Sequence, residues 1–298
     1  MFDTVIVGAG PAGLSAALIL GRCRRHVLIC DTGKHRNARA EVLHGYLTRD
    51  GIAPAEFLRL GYEQLRPYDT LEFRHIEVVD AARDGNSFSI TLADDTRVTS
   101  RTLLLTTGIV DELPNIEGIE ALYGKSVHHC PYCDGWEVRD APLAVYGKGE
   151  SGLQLALELT RWSNDLVLCT DGPAELAEKD LKRLSRVQIT VREERIARLE
   201  GSDSRLERIV FTNGDALSRK AMFIRTQEHQ HSNLAQKLGV TLTSRGTART
   251  GEYEETNIPG LFVAGDASRR VQLVIVAAAE GAEAAFAINT ALLKEDLA

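Results

Sequence analysis

Short apolar runs that end on glycine recur along this chain. Residues 4–7 form one buried run and residues 27–30 a second; both read as strands. Between them, residues 11–21 carry helical spacing, with Pro11 in the first turn and Gly21 at the end. Residues 54–67 predict a second helix whose apolar face holds Phe57, Leu58 and Leu65. Strand-like runs follow at 71–79, 88–92 and 102–106. Pro114, Asn115 and Gly118 then mark a crossing between domains. The pattern restarts with a strand at 143–146, a helix at 150–162 and a strand at 166–169. More strands are expected near 187–191 and 208–211. A polar stretch at 247–254 suggests the return crossing, before a strand at 261–264 and a long helix from about residue 271.

Two βαβ openings, about 140 residues apart, predict an α/β fold of two Rossmann-like domains. The expected division is a discontinuous first domain, 1–113 and 247–298, around an inserted second domain, 114–246. The 42 acidic against 35 basic residues give a net charge of −7, which argues against nucleic acid as a partner. The apolar run at 273–279 is too short to span a bilayer, and Asp3 with the early glycines speaks against a signal peptide. Five cysteines, an odd and scattered number, do not make a secreted disulfide framework, so a cytoplasmic location is expected.

Chemistry concentrates at three places. Gly8, Gly10, Pro11, Ala12 and Gly13 spell G-x-G-x-x-G between a strand and a helix, and Asp31 ends the next strand 21 residues after Gly10. Such a turn lets a pyrophosphate reach a helix N-terminus while the acid takes ribose hydroxyls. Gly147, Gly149 and Gly152 repeat the spacing. Asp171 would hold a ribose diol there and repel the 2′-phosphate of NADPH; a relict fold that binds nothing is the alternative. Cys130-Pro131-Tyr132-Cys133-Asp134 places two thiols within disulfide reach, with a carboxyl beside them to handle protons. The alternatives are a zinc site using His128 and His129, a structural disulfide, and two unlinked thiols; redox chemistry with no metal is expected. His128 and His129 read as packing or surface residues, and His229 and His231 as part of a solvated loop.

These motifs, in this order, resemble the low-molecular-weight thioredoxin reductase family over essentially the whole chain. GAGPAG at Gly8 looks like its FAD loop, CPYCDG at Cys130 like its redox motif, and IPGLFVAGDA at 258–267 like its second FAD motif. The resemblance implies FAD bound by Gly8, Gly10, Pro11, Ala12, Gly13, Asp31, Thr32, Val79, Thr107, Gly108, Gly265, Asp266, Gln272, Leu273 and Val274. It implies Cys133 facing the flavin, Cys130 as the interchange thiol, Asp134 as the proton-handling acid, and a homodimer. The partner would be a thioredoxin-like protein or a small disulfide or dithiol. The chain departs from the family at named points. Cys169-Thr170 replace two arginines of the NADPH domain, His35-Arg36-Asn37 replace Gly-Gly-Gln, and Gln272-Leu273 replace Arg-Gln. These departures, with Gly135-Trp136-Glu137, look like the branch of gliotoxin- and holomycin-type dithiol oxidases. NAD(P)H, ferredoxin, oxygen and a second flavin at the Gly147 turn therefore stand as candidate redox partners, and a flavin-binding redox sensor as a non-enzymatic rival.

Overall fold

The protein is described by a computed structural model covering residues 1–298. It divides into two compact units: 1–38, 45–110 and 228–298 form one, and 39–44 with 111–227 the other.

In the first unit, Phe2–Val7 is the hub of a seven-stranded sheet. Val27–Cys30 lies on one side and Arg97–Leu105 on the other, both parallel to it, so Val5 stands opposite Leu28 and Leu103. Leu71–Arg74 extends one edge; Ser87–Leu92 and Val78–Asp84 form an antiparallel meander on the other. Leu261–Val263 returns to pair with Arg97–Leu105. The run expected as one strand at 71–79 is thus two strands, on opposite edges of the sheet. The chain reverses direction across the sheet at the Phe2–Val7 strand, where α/β folds open a crevice at the carboxyl ends of their strands.

Helix Pro11–Arg22 covers one face and packs with the Val274–Asp296 helix around Ala16, Ala17, Leu20, Ala284, Ala285 and Ile288. A Cβ on Gly281 would lie 2.0 Å from the Ala12 carbonyl oxygen, so the two backbones are in close contact. By length and composition alone this last helix could cross a bilayer; here its small-residue face is core.

The return crossing falls at 227–228, not near 247. The reason is burial: Leu234, Ala235, Val240 and Ala248 fill the core beneath Val78, Ala81 and Ile90. The stretch read as a solvated loop contains a strand, Gln227–Gln230, which pairs with Ile109–Glu112 as a two-stranded ribbon.

The second unit centres on a parallel sheet in the order Thr190–Arg192, Leu166–Cys169, Leu143–Tyr146, Ala221–Ile224, Val127–His128. An antiparallel sheet of Ile196–Ser202, Arg205–Phe211 and Ala216–Ser218 packs against it through Leu199, Leu206, Ile209 and Phe211. Because its central strands run parallel, the Gly147 turn and the cysteine turn both leave the sheet at carboxyl ends.

Candidate active site

The first glycine turn is built for close approach. Gly8 has φ +101° and its amide donates to the Cys30 carbonyl at 2.8 Å. A Cβ there would lie 2.5 Å from the Thr106 carbonyl oxygen, and one on Gly13 would lie 2.0 Å from the Gly8 carbonyl oxygen. Gly10 faces open space, and no side chain caps the Pro11–Arg22 helix. An uncapped helix start with an open glycine is a ready anion cradle. Asp31 reaches back to this turn, accepting from the Ala9 amide at 2.9 Å and from the Gly33 amide at 2.9 Å. It therefore braces the turn as well as facing it.

Other residues assigned to this site converge on the same sheet end. The Thr106 hydroxyl donates to the Gly8 carbonyl at 2.7 Å, with Thr107 and Gly108 following. Gly265 packs against Ala12, where an added Cβ would lie 3.2 Å from the Ala12 Cβ, and Asp266 follows in a short 3-10 turn. The side chains of Asp266 and Gln272 are joined by Arg36, a residue that stands out in the sequence only as a departure. Val79 stands apart, exposed at a bulge in the edge strand Val78–Asp84, with its carbonyl accepting from Lys237. These residues fit a dinucleotide such as FAD at the Gly8 turn.

Glu280, which sequence reasoning missed, anchors this end from below. Its carboxylate accepts from the Gly265 amide at 2.8 Å and from Arg269 Nε at 2.7 Å, and Arg269 also binds the fully buried Glu254. Burial pushes the Glu280 carboxyl up to about 7, although the Gly265 amide and Arg269 oppose the shift. A carboxyl whose folded value is raised holds its proton more tightly when folded. Its contribution to stability is therefore greatest below about pH 4.5, declines as pH rises toward 7, and stays low above. Glu280→Gln keeps an acceptor for Gly265 and is expected to flatten this slope. The check is Tm against pH for both proteins: equal slopes between pH 4.5 and 7 would exclude the assignment.

In the second unit, Cys130 and Cys133 form a disulfide with a Cα separation of 5.3 Å. Val127–His128 delivers them, and Pro131–Asp134 turns once as a helix with Pro131 at its start. Cys130 sits at the N-cap, where its sulfur accepts from the Cys133 amide at 3.1 Å. That donor favours a thiolate at Cys130 once the bond is reduced. Asp134 lies 3.4 Å from Nδ1 of His128, which is buried against Phe223 with Nε2 lacking a hydrogen-bond partner. His128 is thus packed in the core, as expected, and also meets the carboxyl beside the cysteine pair. No signal in the single sequence sets it apart from His129, whose Nδ1 instead meets the Tyr123 hydroxyl at 2.9 Å. The two histidines have different partners, and no group of three or more His, Cys, Asp or Glu side chains gathers as a metal site. Tyr132 and Trp136 flank the pair, 69% and 65% exposed. Tyr132 stacks edge-on against Trp162, and Arg139 lies over Trp136.

The second glycine turn has the same spacing but a different backbone and mouth, with the positive φ on Gly149 (+52°) and not on its first glycine. Gly152 is pressed against Gly147 as in the first turn. Here, however, the Gly149 amide donates to the Ala174 carbonyl at 2.9 Å, and the Ala174 amide is held by Glu193 at 2.8 Å. The 171–175 loop therefore straps the turn. Asp171 faces away from the glycines: it accepts from the Ile196 amide at 2.7 Å and from the Tyr146 hydroxyl, whose pKa is raised mainly by burial. Cys169 and Thr170, at the arginine positions, are fully buried, and burial pushes the Cys169 thiol up to about 12. At this turn Asp171 is engaged by Ile196 and no arginine stands at 169 or 170 to meet a 2′-phosphate, and a second flavin is not supported.

An α/β fold with two dinucleotide-type turns and a Cys-x-x-Cys disulfide defines a flavin-type disulfide oxidoreductase. The family model for pyridine nucleotide-disulphide oxidoreductases matches residues 2–281, and the chain belongs to that family of enzymes, which as a class bind FAD and NAD(P)H. The thioredoxin reductase tcpT of Claviceps purpurea is 30% identical over 98% of this chain and 95% of its own. A crystal structure of the putative thioredoxin reductase TrxB from Bacillus anthracis superposes with a TM-score of 0.94 at 34% identity, over 99% of this chain and 100% of that one. The structure of HlmI gives 0.95 at 36% identity, over 99% and 94%.

Proposed function

We propose that this protein is an FAD-dependent dithiol–disulfide oxidoreductase in which Cys130–Cys133 exchanges with a thiol partner. Electrons enter from that partner and not from a nicotinamide. The observation that carries the second point is the Ala174 strap across the Gly149 amide. The reading places the chain in the cytoplasm as a homodimer, with a thioredoxin-like protein or a small dithiol as partner.

The chemistry of the chain's own residues follows from the cysteine turn. A partner thiolate attacks Cys130, the S–S bond breaks, and Cys133 leaves as a thiolate. The partner's second thiol then displaces Cys130, whose departing thiolate is stabilised by the Cys133 amide. The partner ends as a disulfide and the pair as two thiols, a balanced two-electron exchange. Asp134 and His128 take up and return the protons. FAD, when bound by the Gly8 turn, Asp31 and Asp266, supplies the two-electron chemistry that returns the pair to the disulfide, with oxygen as final acceptor.

Anaerobic addition of NADPH and then NADH is expected to leave the flavin absorbance unchanged, whereas dithiothreitol bleaches it; in air, dithiothreitol yields hydrogen peroxide. Fast bleaching by either nucleotide would replace this reading with a nucleotide-fed reductase, which the names of the relatives favour. A flavin-binding redox sensor would be reduced once and show no turnover.

A further inference from the structure

Arg36 occupies an unexpected place. Its guanidinium is mostly buried, with 13% of the side chain exposed. Nη1 donates to Asp266 at 3.0 Å and to the Gln272 amide oxygen at 2.7 Å, and Nη2 lies 3.4 Å from Glu228. Gln272 closes the ring by donating to Glu228 at 2.9 Å. Three distant segments thus meet on one fixed cation: the turn after Val27–Cys30, the second crossing, and the stretch before the last helix. They meet beside Gly265, which touches the helix that opens the Gly8 turn.

Arg36 and Gln272, 236 residues apart in the chain, are joined directly in space. A buried guanidinium is costly to desolvate and persists only with partners. Asp266 and Glu228 are two such partners, so carboxylates and a guanidinium stand together at the crevice.

We infer that Arg36 is a positioning and tuning residue for the flavin, orienting Asp266 and Gln272 and setting with Glu228 the charge that governs how readily the bound flavin accepts two electrons. This inference rests on the flavin reading above. Reduction of a flavin adds negative charge, which a nearby cation favours and a nearby carboxylate opposes.

The test is the flavin's two-electron reduction equilibrium, measured by anaerobic titration against a reference dye on the purified holoprotein. Arg36→Gln is expected to disfavour reduction by about tenfold, a fall of about 30 mV by the two-electron constant. Arg36→Lys should recover part of the loss, and Glu228→Gln should shift the equilibrium the opposite way. A merely structural role predicts no opposed signs. Equal potentials in all variants, or shifts of one sign, would overturn the inference. If Arg36→Gln sheds its flavin, the sign for Glu228→Gln decides. Wild-type protein that takes up no FAD would overturn the flavin reading itself; a flavoprotein indifferent to both substitutions would overturn this inference alone.

Discussion

Replacing Cys130 or Cys133 with serine abolishes thiol–disulfide turnover, by at least about a thousandfold, and leaves FAD bound. The two variants should not fail alike. Cys130 holds the position where a backbone amide supports a thiolate. Cys133→Ser therefore keeps the better nucleophile, and with a partner disulfide it should accumulate a mixed disulfide visible by mass spectrometry. Cys130→Ser should accumulate far less. Neither cysteine is among the residues proposed to hold FAD, so both variants are expected to retain it. Full turnover by either variant would remove the pair from the mechanism. The three other cysteines do not substitute for it: Cys23 is exposed and remote in sequence, and burial pushes the Cys30 and Cys169 thiols up to about 11 and about 12.

The second large effect lies at the first glycine turn. Gly13→Ala drives a methyl to 2.0 Å from the Gly8 carbonyl oxygen, and that neighbour is backbone. Overpacking of this kind costs about 1–3 kcal/mol or more, so the variant should express as unstable, flavin-free protein. Gly10→Ala makes the sharper comparison. Gly10 has φ −69°, and nothing lies within 4 Å of the place an added methyl would take, so the fold should be untouched. The methyl would instead stand at the open side of the turn, where a pyrophosphate must approach. Apo protein of unchanged Tm with FAD affinity weakened at least about tenfold is the expected result. Unweakened binding in Gly10→Ala would place the dinucleotide elsewhere.

Much of the site was legible in the sequence because its constraints are local. A strand–glycine–helix turn needs its residues in fixed order, so Gly8 to Gly13 announce it, and Asp31 follows at the end of the next strand. Cys130 and Cys133 are close enough in sequence that their pairing needs little from the rest of the fold. The second glycine turn shows the limit of that logic. Its spacing is intact, yet the Ala174 carbonyl sits on the Gly149 amide, a contact across 25 residues that no local pattern reports. Asp171 likewise matches Asp31 by position but turns to Ile196 and Tyr146, because its backbone adopts φ +51°.

What the sequence determined by itself was the alternation of buried strands and helices, the two glycine turns, and the cysteine pair; each depends on neighbours a few residues apart. Tertiary structure alone decided which partners those motifs meet. It set the return crossing at 227–228 through the burial of Leu234, Ala235 and Val240. It seated His128 beside Asp134 and not His129, because strand alternation turns the first inward against Phe223. It gathered Arg36, Glu228, Asp266 and Gln272 from three segments, since a buried cation is stable only where the fold brings carboxylates and amides to it.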